Sequence, residues 1–219
     1  MTYLELVNKV LLRLRENQVT TVQGTGNSNQ YARLIGEFVN EAKSQVEVAW
    51  DWSALRNTLT VTTTPGVFNY QLNGAKNNFK LLNAWNDTSN IEMEYKDARW
   101  LDQEFLMAPP QSGIPAYYGY NGVSTDGDIL VDIYPIPDTA YALRFNITQR
   151  NVELSADADT MVIPSRPVIL LATAMAIEER GEDGGQQSAN AYGSYRTALA
   201  DEIAMDAARH PEETIWYSV

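Results

Sequence analysis

The sequence predicts an α+β protein in which an antiparallel helical bundle, formed by the N- and C-terminal helices, carries a central β-rich insertion built as a small sandwich or barrel. Three observations carry this. Apolar residues recur at helical spacing through the first fifty residues, a β-branched alternating pattern follows Trp52 for about a hundred residues, and alanine-rich sequence of helical period returns near residue 165. Residues 1–55 and 160–210 are therefore expected to form one helical domain, residues 56–159 a β-rich domain with one short helix, and residues 211–219 a C-terminal tail.

Thr2 can cap a helix with Glu5 three residues on, and Leu4, Val7, Leu11 and Leu14 make its apolar stripe. Gly24, Gly26, Asn27 and Ser28 read as a polar turn, after which Ile35, Val39, Ala42, Val46 and Ala49 form a second stripe. Strands are expected at 59–64, 67–72, 79–85, 91–95, 116–120, 129–134 and 141–148, with turns at Asp126-Gly127 and Pro137-Asp138. A short helix at 98–107 gathers Trp100, Leu101, Phe105 and Leu106 before Pro109-Pro110 ends it. Ser165 ahead of Arg166-Pro167 marks a helix start, and the nearly unbroken apolar run 168–177 predicts burial on several sides. After a turn at 181–185, a last helix at 188–209 carries Tyr192, Leu199 and Ile203, and Pro211 stops it. The tail then places Ile215, Trp216, Tyr217 and Val219 where chain ends are usually unstructured, which predicts a docking partner for them or a fold-back onto the chain's own core.

Composition narrows the function. The 219 residues carry 28 acids against 16 bases, a formal charge of −12, with no basic run to neutralise phosphates, so tight nucleic-acid binding is not expected. Residues 1–50 hold five acids and five bases, whereas residues 151–219 hold twelve acids and four bases. An acidic wall of this kind repels a passing duplex instead of retaining it. With no cysteine, disulfides, thiolate catalysis and Cys-ligated metal sites are excluded. The start lacks the pattern of a signal peptide and no apolar run spans a bilayer, giving the expectation of a soluble product made in the cytosol, without membrane partners.

Catalytic patterns are sparse. The single histidine, His210, beside a proline, gives a Ser-His-Asp triad or a two-His metal site almost nothing to draw on. Gly24-Thr25-Gly26 follows a helix and lacks the Gly-Lys-Ser of a phosphate loop. Asp126, Asp128 and Asp132 lack the spacing and terminal glutamate of a calcium loop and read as a hairpin turn. No cofactor or metal is expected. Tyr95, Tyr117, Tyr118, Tyr120, Trp85 and Trp100 could line a sugar-binding surface, although aromatics in a β-region more often form its core.

The opening Met1-Thr2-Tyr3-Leu4-Glu5-Leu6-Val7-Asn8-Lys9-Val10-Leu11-Leu12-Arg13-Leu14-Arg15-Glu16, with Val19-Thr20-Thr21-Val22 behind it, resembles the start of tailed-phage head-to-tail adaptor proteins. Ile35-Gly36-Glu37-Phe38-Val39-Asn40-Glu41-Ala42-Lys43 and then Trp50-Asp51-Trp52-Ser53-Ala54-Leu55-Arg56 are similar to that family's second helix running into its first strand. The wording is recognisable over about the first sixty residues, the layout over the whole chain.

The resemblance implies a non-enzymatic virion protein at the head–tail junction, assembled in the host cytoplasm. It would form a homo-oligomeric ring, usually of about twelve copies, between the portal protein and the tail nozzle or tube protein. Genomic DNA would pass through without specific binding. By the same resemblance Ile215, Trp216, Tyr217 and Val219 contact the portal, and Glu202 and Asp206 face the channel or a neighbouring subunit. The competing readings are a carbohydrate- or receptor-binding tail component built on the tyrosine-rich insertion, and an acid/base hydrolase using paired carboxylates.

Overall fold

The computed structural model describes every residue except 25, 26, 77, 78, 108, 182–184 and 210–219; of 27–29 and 76 the backbone alone is described. Gly26, His210, Pro211 and the tail aromatics thus lie outside the described residues. The protein is α+β. Two compact units divide it, Met1–Leu55 with Asn151–Val219, and Arg56–Arg150.

The first unit begins with α1, Tyr3–Arg13. Its capping box forms in both directions: Glu5 N donates to Thr2 Oγ1 at 3.3 Å and Thr2 N to Glu5 Oε2 at 3.0 Å. The amides of Tyr3 and Leu4, orphaned at a helix start, donate to the carbonyls of Asp159 and Asp157. Segment 151–163 therefore lies against this helix end, and Thr2 bridges Thr160. The buried face of α1 is Tyr3, Leu6, Val7, Val10 and Leu11, so Leu4 and Leu14 of the expected stripe sit at its partly buried margins.

Helix α2, Asn27–Ala49, starts inside the segment expected to be a polar turn. It buries Ala32, Ile35, Val39, Ala42 and Val46 completely, while Ala49, the last stripe residue, is exposed. Gly36 is required for close approach. A methyl there would collide with the Tyr3 hydroxyl and touch Val22, so this glycine lets α2 settle over the start of α1. Helix α4, Ser165–Arg180, is capped by Pro164 without a side-chain bond; Ser165 stands within the first turn and is not the cap. Its run Val168, Ile169, Leu171, Ala172, Thr173, Ala174 and Ala176 is buried, because α1, α2 and the helix that follows all pack on it. Helix α5, Gln186–Ala207, runs back along α4: Tyr192 bonds Glu178 and Arg166 pairs with Asp201. Beyond Tyr192, Leu199 and Ile203, it adds Tyr195 and the fully buried Ala198 to the core.

The second unit holds β1 (Arg56–Thr62), β2 (Asn69–Lys76), β3 (Phe79–Asn86), β4 (Ile91–Tyr95), α3 (Ala98–Phe105), β5 (Ser112–Gly113), β6 (Tyr117–Val123), β7 (Asp128–Tyr134), β8 (Ile136–Pro137) and β9 (Ala142–Gln149). Seven strands form one sheet in the order β1-β9-β3-β4-β6-β7-β2, and β1 also approaches β2, so the sheet nearly closes. Every pairing is antiparallel except β4 with β6. Strands β5 and β8 make a two-residue parallel pair that no alternating pattern announces. Alternate residues fill the interior: Leu143, Phe145 and Ile147 from β9, Val131 and Ile133 from β7, and Tyr118 from β6.

Helix α3 crosses the other face of β6. Asp97 caps it, accepting from Trp100 N at 3.0 Å. It crosses where Gly119 stands: a methyl there would lie 2.5 Å from Leu101 Cδ1 and 2.6 Å from the Lys96 carbonyl oxygen. Because one of those neighbours is backbone, Gly119→Ala is expected to cost about 2 kcal/mol. A lowered urea midpoint with unchanged slope checks this; an unchanged midpoint contradicts the packing described.

Candidate functional site

Buried polar side chains in the helical unit mark where its segments are locked. At the C-terminal end of α5, the Asp206 carboxylate is buried and accepts from Trp50 Nε1 (3.1 Å), Ser53 N (3.0 Å) and Ser53 Oγ (2.5 Å), with Arg209 Nη1 at 3.5 Å. Burial pushes its carboxyl up, but the Ser53 hydroxyl and amide, the Trp50 indole and Arg209 together outweigh that and hold it below the ordinary value. Trp52, only 1% exposed, donates to the Val46 carbonyl at 2.7 Å. The Trp50-Asp51-Trp52-Ser53 stretch is thus a joint: one indole fixes the end of α2 and the other fixes the end of α5.

A second lock sits midway along α2. Asn40 exchanges two hydrogen bonds with the backbone of Leu154, at 3.0 and 2.9 Å. One turn on, Lys43 Nζ donates to the carbonyls of Asn151 (2.9 Å) and Val152 (3.0 Å) and lies 3.2 Å from Glu47 Oε1, both side chains being almost fully buried. Asn8 makes the same reciprocal exchange with Val19, both bonds at 2.9 Å, fixing the chain between α1 and α2. At the end of α4, Arg180 donates to Tyr31 and Glu16 and stacks over the Tyr31 ring.

In the sheet unit, the carboxylates weighed as cation ligands are engaged by amides. Asp132 accepts from Asn69 and Asn121, and Asp128 from Gln71 and Gly74 N, while Asp126-Gly127 forms the β6–β7 hairpin turn. Among the described residues, no group of three His, Cys, Asp or Glu side chains is placed to hold a metal ion. No helix among them is long and apolar enough to cross a membrane. The aromatics weighed as a sugar-binding surface divide between faces. Tyr118 points inward to Phe145, with Tyr95 and Tyr120 beside it, whereas Tyr117 stands on the opposite face against Trp100 of α3. Burial, reinforced by Tyr118 and Tyr95, pushes the Tyr120 phenol up to about 12, so it remains protonated at neutral pH. Alternation along β6 accounts for the division, since neighbouring residues of a strand face opposite ways.

A family model described as SU10 adaptor protein matches residues 1–214. The chain belongs to this adaptor family. No curated protein matches it. Membership makes it a structural adaptor of a bacteriophage and a component of the virion. The motifs behind the early resemblance now have physical roles in the adaptor: Thr2 and Glu5 cap, Asn8 and Asn40 tie down loops, Gly36 admits Tyr3, and Trp50 to Ser53 joins α2 to α5.

Of the interface residues expected from the sequence, Glu202 lies half-buried on α5, and Asp206 is turned into its own chain, where Ser53 and Trp50 occupy its oxygens. Ile215, Trp216, Tyr217 and Val219 lie outside the described residues. Asn40, Lys43 and Glu47 were missed. Their signal is positional, since each lies one residue beyond Val39, Ala42 or Val46 and widens the apolar stripe of α2.

Proposed function

We propose that the adaptor forms a ring, of about twelve copies, between the portal and the tail nozzle or tube, with the genome passing through its centre. The observation that carries this reading is the family match across residues 1–214. In it, the helices of the first unit act as an antiparallel bundle that packs against identical neighbours. The outward side of α5 supports such packing, because Ala189, Gly193, Ala200, Ala204 and Ala208 are all exposed and a methyl on Gly193 would meet nothing within 4 Å. Charge supports the channel role: residues 1–55 and 151–219 hold eighteen of the 28 acids and nine of the 16 bases. Glu202 is the residue we place at the channel or an inter-subunit contact. Asp206 would serve by fixing the end of α5. The wall of such a ring repels DNA and lets it slide.

The tail residues Ile215, Trp216, Tyr217 and Val219 are proposed to contact the portal. A chain truncated after Pro211 is then expected to fold cooperatively and to lose co-purification with the portal of the same phage. Attachment undiminished by the truncation would reject the tail's role.

A further inference from the structure

We infer that the helical unit carries a docking groove for the chain's own C-terminal residues 210–219. On the outward side of α1, Lys9, Leu12 and Arg13 enclose a cavity of about 380 Å³ with Ser165, Arg166 and Ile169 of α4. A second hollow, of about 310 Å³, shares Ser165 and Arg166 with the first and continues to Val162, Met205 and Arg209. The two hollows adjoin at Ser165 and Arg166, one reaching Arg209, the last described residue, and the other reaching α1, and we treat them as one groove.

The hollow beside α1 is lined by apolar and basic side chains, in a unit that is otherwise acidic, whereas the second hollow also holds Glu202 and Asp206. Leu12 is 63% exposed, Val162 51% and Met205 64%. Lys9 and Arg13 flank Leu12, Arg166 beside them is already paired with Asp201 at 3.6 Å, and the first turn of α4, which no side chain caps, adds the positive end of a helix dipole. The segment that follows Arg209 has chemistry complementary to the hollow beside α1: Glu212 and Glu213, then Ile215, Trp216 and Tyr217. Its ten residues reach at most about 33 Å when extended, and a helix with its side chains is about 10 Å across, so the segment is long enough to traverse both hollows.

The chain's own tail is favoured over a neighbour's because Arg209 itself lines the groove, and a tether this short holds a segment at an effective concentration of order millimolar. A docked tail covers Leu12 and Met205 and keeps Trp216 and Tyr217 away from other copies until a stronger partner displaces it. The groove does not depend on the portal contact. A tail that binds the portal without docking here, or docks here without binding the portal, separates the two.

The absence of native cysteine gives a clean test in the full chain. The double variant Leu12→Cys/Ser218→Cys is expected to form an intrachain disulfide under mild oxidation at low protein concentration. The pair Val152→Cys/Ser218→Cys, whose first position is exposed on the segment gripped by Lys43, should close at least about fivefold more slowly. Adding Lys9→Glu and Arg13→Glu to the first pair should slow it by about fivefold. Thermal melts matching the wild type certify the fold of each variant. Only interchain disulfides, equal rates for the two pairs, or closure indifferent to the charge reversals would each overturn the inference.

Discussion

Lys43→Met is expected to be among the most damaging single substitutions in the helical unit, costing about 3–5 kcal/mol. Methionine preserves the length and apolar stem of the side chain but withdraws its charge from a site only 3% exposed. Three groups lose it at once: the carbonyls of Asn151 and Val152, and the Glu47 carboxylate 3.2 Å away. Most of the cost comes from leaving a carboxylate inside the core without this cation, so removing the second charge should restore much of it. Lys43→Met/Glu47→Leu is expected to recover more than half of the lost stability in urea unfolding, while the carbonyls keep a residual cost of about 1 kcal/mol. A double variant no better than the single would mean that Lys43 acts only through the segment 151–154.

Asp206→Ala is the second large effect, expected at about 3 kcal/mol, because it strands the Trp50 indole and the Ser53 amide and hydroxyl together. It also has a pH signature. The folded carboxyl titrates below its ordinary value of 3.8, so its contribution is complete well above that value. That contribution fades as pH falls past 3.8 and through the lower folded value. With 28 acids in the chain, many carboxylates contribute to acid unfolding, so the quantity to read is the difference between wild type and variant. Stability of the two is expected to differ most at neutral pH and to converge at the acid end. A constant difference across that range would show that the Asp206 charge contributes nothing.

Local chemistry made much of this fold legible. Thr2 with Glu5 specifies the start of α1 through two bonds three residues apart, Ile91–Tyr95 shows as a short strand, and α3 follows from the apolar cluster of Trp100, Leu101 and Phe105 ahead of Pro109-Pro110. The buried run of α4 follows from its lack of a polar side. Contacts whose partners lie far along the chain were not legible. Asn40 meets Leu154 across 114 residues and Ser53 meets Asp206 across 153, and nothing in either sequence neighbourhood names the other. The sequence accordingly puts Asp206 at the channel or a neighbouring subunit, and groups the aromatics of β6 together although alternation sends Tyr117 and Tyr118 to opposite faces. Strands of two residues, such as β5 and β8, are too short to show any period.

The interaction surfaces separate in the same way. The acidity of the helical unit and the small residues along α5 are properties of the chain itself and bear on the proposed packing of copies. In the proposed reading, portal engagement rests on Ile215 to Val219 meeting a second protein, and only that encounter can establish it. Sedimentation velocity of the purified 219-residue chain, alone and mixed with the portal ring encoded by the same genome, tests this most directly. The expected result is a monomer that joins the portal in about twelve copies. A chain that never co-sediments with the portal would contradict the proposed place of this adaptor between head and tail.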